Sequence, residues 1–154
     1  MTTIRLQVTL DPATDINVYA MAGTATSPMT FPPAFQLATP FGADIGGANA
    51  AFFAIMADAE FDSWLTIGST DGTLGGAIAA SPGLGLDAWT ESNAFTTDNG
   101  AIFFMTPADG PGGAAPIVVA QITSATPTGT ATATFQGQSE GGVDWVGRAA
   151  NWSW

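Results

Sequence analysis

The chain contains no lysine, no histidine and no cysteine, and its only cations are Arg5 and Arg148. Each absence removes a chemistry. Without histidine or lysine, a Ser–His or Ser–Lys nucleophile cannot be built. Without cysteine there are no disulfides, no thiolate metal ligands and no thiol catalysis. The lack of disulfides leaves the redox compartment open, since a thiol-free domain is compatible with any. No Gly-rich loop carries the lysine that cradles phosphate, and no dinucleotide fingerprint is present. Two cations against 13 carboxylates give a net charge of −11. Such a surface repels phosphate and anionic lipid, and nucleic-acid binding by counterion release is excluded. No run of about 18 apolar residues occurs, so no helix is predicted to insert in a membrane.

What remains is an apolar and weakly charged chain. Hydrophobic residues make up 46% and charged residues 10%, against the usual quarter. The surface therefore has to be built from Thr, Ser, Asn, Gln, Gly and Ala. At 154 residues one domain, 1–154, is expected, large enough to hold a core without covalent staples. The N-terminal MTTIRLQVTL has no basic region leading into an apolar stretch, so it does not read as a secretory signal.

The periodicity is that of strands. Ile4, Leu6, Val8 and Leu10 alternate with Arg5, Gln7 and Thr9, a half-buried strand ended by Asp11-Pro12. Ile16–Met21 alternates in the same way. Ala51–Met56 (AFFAIM) is a compact apolar run expected to be a central strand, with a helical turn over 49–60 as the alternative. Phe61–Ile67, Leu86–Thr90, Ala101–Thr106 and Ile117–Thr123 are further strand candidates. Asp98-Asn99-Gly100 signals a tight turn, because Asn-Gly tolerates positive φ. Thr126–Gly129 reads as a hairpin turn leading into Thr130–Gln138, where Thr alternates with Ala. These segments predict an all-β chain: about ten short antiparallel strands in a single β-sandwich of jelly-roll type.

The chemistry-bearing candidates are few. Glu60 and Asp62, at i and i+2, share a face if the segment is a strand, and two carboxylates are the minimum for glycoside hydrolysis. A polar strand face opposite Phe61 explains them as well, and no catalytic residue is assigned. Asp58, Glu60 and Asp62 have ligand-like spacing for a hard cation, with Asp71 and Asp98 in turns, so Ca²⁺ is the one metal expected. No EF-hand loop is present. The aromatics form the other constellation: Trp64, Trp89, Trp145, Trp152 and Trp154 with ten Phe. Trp64, Trp89, Trp152 and Trp154 are the candidate binding or interface residues, either stacking on sugar rings or packing a core or a contact. Trp152 and Trp154 share one strand face, which either closes the sandwich or docks into a neighbour.

The stretches AEFDSWLTIGSTDG (59–72) and NGAIFFMTPADGP (99–111) resemble a recurrent β-sandwich module of surface and extracellular proteins in marine algae and bacteria. SPMTFPPAFQ, PFGADIGG and VVAQIT fit the same pattern, and the similar stretches span about 16–147. The resemblance lies in turns and buried aromatics. It implies a surface or structural role and brings no catalytic residues.

Two classes of function follow. The first is a non-catalytic structural protein, one of many copies on a virion surface, a filament or a cell coat, with itself or other structural subunits as partners. A virion decoration or minor capsid protein needs no leader. The second is a carbohydrate-binding or adhesion module with glycans as ligands, assisted by Ca²⁺. Copies of −11 repel one another, so self-association is expected to need salt, divalent ions or a cationic partner.

Overall fold

The computed structural model describes residues 1–73 and 75–154. Ten strands follow in chain order: β1 (Thr2–Val8), β2 (Ala20–Gly23), β3 (Met29–Phe31), β4 (Trp64–Leu65), β5 (Ile78–Ala80), β6 (Phe95–Thr97), β7 (Gly100–Phe104), β8 (Ile117–Ser124), β9 (Thr130–Gly137) and β10 (Trp145–Ser153). They form two antiparallel sheets, as the alternating pattern predicts. Among the described residues helical structure is confined to short 3-10 turns, the longest being Ala57–Phe61.

The small sheet has the order β1-β8-β4. Leu6, Ala120 and Leu65 stand in register, all buried in the core between the sheets. Arg5, Gln121 and Trp64, one residue along, share the opposite face. The long connection 32–63 covers that face. Gln121 donates to the Glu60 and Asp62 carbonyls at 3.0 and 2.8 Å, and the Phe35 N–H donates to the Thr123 carbonyl at 2.7 Å. Trp64 is sealed beneath this cover, with the Arg5 guanidinium 5.6 Å from its ring centroid.

The large sheet is organised around β9. Thr134 pairs with Ala22 of β2 on one side and Ala149 of β10 on the other. β2 and β3 lie in tandem along the first side, and β7 and β6 lie in tandem beyond them, with β5 outside β7. The break between β2 and β3 is a loop pinched out of the sheet. A Cβ on Gly23 would sit 2.1 Å from the Thr97 carbonyl and 2.5 Å from the Met29 nitrogen, so only glycine fits where the strand resumes. Inward-facing Met21, Met29, Phe31, Ile102 and Phe135 meet Val119 and Ile122 of β8 in one continuous core.

Several expected strands are not strands. Ala51–Met56 forms 3-10 turns on the surface, because the Asn49 side chain accepts the Ala51 N–H at 2.9 Å and caps a turn. Ile55 is 73% exposed there. Leu86–Ala88 is likewise a 3-10 turn. Regular pairing in the second segment begins at Ala20, not at Ile16, whose side chain is exposed. Residues 126–129 make no hairpin: they carry the chain from β8 in the small sheet across to β9 in the large one.

Candidate functional site

The acidic stretch sits on the turn 57–61 and just after it. Asp58 and Glu60 are exposed. Asp62 is fully buried, and its two oxygens accept the N–H groups of Leu37 and Ala43, each at 2.7 Å. Glu60 and Asp62 therefore share neither a strand face nor a cleft. Asp62 clamps the ends of the loop 37–43. Burial pushes its carboxyl up to about 6, opposed by these N–H bonds and reinforced by the Asp44 charge. Among the described residues, no three of His, Cys, Asp and Glu stand close enough to hold a metal ion.

Two of the four candidate tryptophans are interior. Trp64 is 1% and Trp89 2% exposed. The Trp89 indole donates to the Pro32 carbonyl at 2.8 Å and packs on Phe31 and Phe95. Neither ring offers a face to a partner. Trp152 and Trp154 turn inward from β10. Trp152 meets Phe135 edge-on at 6.1 Å, and its indole donates to the Gln7 carbonyl at 3.0 Å. That bond ties the last strand of the large sheet to the first strand of the small one. Trp154 exchanges backbone hydrogen bonds with Gly129 and lies where a Gly129 side chain would be. Of the two roles open to this pair, the geometry uses them to close the sandwich.

At the same seam, Arg148 donates to Asp15 at 2.7 Å and lies over the Trp145 ring, 4.1 Å from its centroid. The guanidinium holds the Asp15 carboxyl below the usual carboxylate range, with burial opposing. Arg148 is in register with the core residue Phe135, so it belongs to the inner side of β10.

A different surface stands out electrostatically. None of the 13 carboxylates lies on any of the ten strands, whose two charges are Arg5 on the small sheet and Arg148 on the large one. The outer face of the large sheet carries rows of neutral side chains, small in two rows and larger where Phe103 and Gln136 stand in register with Ala20. Thr96, Thr30, Thr132 and Asn151 stand in register, with the Thr30 and Thr132 hydroxyls 2.9 Å apart. Ala101, Ala22, Thr134 and Ala149 form the next row. The expelled loop 24–28 rises on this side: Thr132 of the outer face donates to the Pro28 carbonyl at 2.8 Å, and Thr24, Ala25 and Thr26 are exposed. Beside it is a dent of about 270 Å³ lined by Ala22, Thr24, Thr134, Gln136, Val146 and Gly147. Val146 is 65% exposed. The Thr–Ala alternation of Thr130–Gln138 was the readable signal of this face, but pairing was needed to align its rows.

Comparison with known proteins adds no relative: no family model, no curated protein and no solved structure matches the chain.

Proposed function

We propose that this protein is a non-catalytic structural subunit, present in many copies on the outer surface of a larger assembly such as a virion, a filament or a cell coat. One observation carries the reading: a molecule of net charge −11 keeps every strand of both sheets free of carboxylates, the large sheet among them. Charged groups are depleted from the cores of protein contacts. A neutral sheet face framed by acids is therefore suited to contact, while the acids keep the rest of the surface hydrated and dispersed. The composition supports the same reading, since it lacks the side chains that most nucleophilic and acid–base catalysis uses. The buried aromatic clusters and the stitched seam between the sheets suit a durable outer layer.

The test is the mass in solution by light scattering, over a concentration series at rising salt and calcium. Masses above the 15.6 kDa single chain are expected, increasing as charge is screened. A mass of 15.6 kDa under every condition overturns self-assembly and restricts the reading to a subunit held by a foreign partner surface.

A further inference from the structure

We infer that the free edge of β10, residues 149–153, pairs antiparallel with the same edge of a second copy of this chain, about a two-fold axis at Asn151, joining two large sheets into one. The inference rests on the assembly reading and names its partner.

The edge is open. β10 pairs with β9 alone. Trp154 and Gly129 exchange backbone hydrogen bonds at 3.2 and 3.0 Å, and in an antiparallel ladder such an exchange recurs at every second residue. Trp152, Ala150 and Arg148 therefore bond to β9, while the N–H and C=O groups of Ala149, Asn151 and Ser153 point away from it. Those three residues are exposed, and among the described residues no strand pairs with them on that side. An unpaired edge is a template for another strand, and proteins blunt it with lysine, proline or a bulge. Here the bulge and Arg148 precede residue 149, and 149–153 carries none of these devices. The other edges are less available. β5 and β6 are three residues each, β4 is bridged by Ile45, and β1 gives its Gln7 carbonyl to Trp152.

Backbone bonds accept any extended strand, and register selects the copy. With Asn151 on the axis, Ala149 faces the second copy's Ser153 and Asn151 faces its own equivalent. All of these are outward-bonding positions, so the pair gains about six hydrogen bonds. An asparagine amide both donates and accepts, so two of them across the axis satisfy each other. On the inner side Trp152 faces the second copy's Ala150, large against small. The two copies of Arg148 fall at opposite ends of the ladder, and no like charges stand opposite. Symmetry supplies all of these matches at once, because one edge serves both partners.

The experiment uses the full chain, which has no cysteine of its own. Single cysteines replace three exposed residues, Asn151→Cys, Ala149→Cys and Ser153→Cys, with folding checked by circular dichroism. The thiol cross-linker is too short for the gap of about 13 Å that four strand residues span. Asn151→Cys is expected to link to itself. Ala149→Cys and Ser153→Cys should each stay single but link to one another when mixed. By light scattering the wild type should double from 15.6 kDa as concentration rises. Asn151→Glu sets two carboxylates face to face and should dimerise about tenfold more weakly. A wild type that associates while Asn151→Glu associates equally well overturns this inference and leaves the assembly reading to another surface. So does self-linking at 149 or 153 as fast as at 151. A wild type that remains at 15.6 kDa overturns the inference and self-assembly with it, leaving a subunit held by a foreign surface.

Discussion

Arg148, half exposed on the last strand, reaches the fully buried carboxylate of Asp15, 2.7 Å away. It is the one ion pair among the described residues. In a chain with two cations, half of the positive charge is thus committed to one acid. Arg148→Met keeps the stem and removes the charge. Asp15 then keeps its bonds from Asp11 and Thr14 but loses its cation. A loss of about 1–2 kcal/mol is expected near neutral pH, below the full cost of breaking a buried pair because the arginine is solvated. The depressed Asp15 carboxyl contributes stability above its unfolded value of about 3.9, and that contribution disappears as pH falls through the lower folded value. Urea unfolding of both proteins should therefore differ at about pH 7 and converge toward about pH 2. A constant difference would remove the ion pair as its cause.

Asp62 has the opposite sign. Its carboxyl is raised to about 6, so the folded state holds the proton more tightly than the unfolded chain. Its contribution is most favourable below about pH 4 and declines as pH rises to about 6, by on the order of 2–3 kcal/mol. Asp62→Asn removes this decline. It also loses one acceptor, leaving the N–H of Leu37 or Ala43 unpaired, at about 1–3 kcal/mol. The variant should be less stable than the wild type at about pH 4 and should have a flatter profile up to about pH 7.5. An unchanged slope would place the titrating group elsewhere.

Trp152→Phe preserves an aromatic edge against Phe135 and deletes the bond to the Gln7 carbonyl. A loss of about 1 kcal/mol is expected in equilibrium unfolding. Amide exchange should quicken first in β1 and β10, the two strands that the bond joins. Uniform quickening across β8 and β9 would contradict a local stitch.

Self-association should strengthen with ionic strength, because screening weakens the repulsion between copies at −11. The neutral face contributes no attractive charge pair for salt to weaken. A sedimentation series at fixed protein concentration checks this. Dissociation on adding salt would point to a contact between opposite charges.

The strands themselves were legible where alternation or a compact apolar run was clear: Ile4 to Val8, Ala101 to Phe104, Ile117 to Thr123 and Thr130 to Gly137 are all strands, though the last two do not pair with each other as the hairpin reading expects. Ala51–Met56 misled because Phe and Ile imply burial only when a sheet is there to receive them. Here a local cap by Asn49 wins and the run stays on the surface. Residues 126–129 have turn chemistry, but a turn does not say whether the next strand pairs with the last or crosses to another sheet. The ligand-like spacing of Asp58, Glu60 and Asp62 was visible. The burial of Asp62 was not, since it depends on Leu37 and Ala43, far away in the chain. The neutral face was half visible: the missing charges could be read, but not which strands lie side by side.

Arg5 and Arg148 are also the only bonds that trypsin can cut, and each lies within a paired strand. The folded chain therefore hides both cleavage points, and digestion reports how often each edge peels away. A first cut after Arg5 releases 1–5 and means that the small sheet opens sooner. A first cut after Arg148 releases 149–154 and means that the large sheet does. Two sites, one on each sheet, make the molecule its own two-channel clock of edge opening.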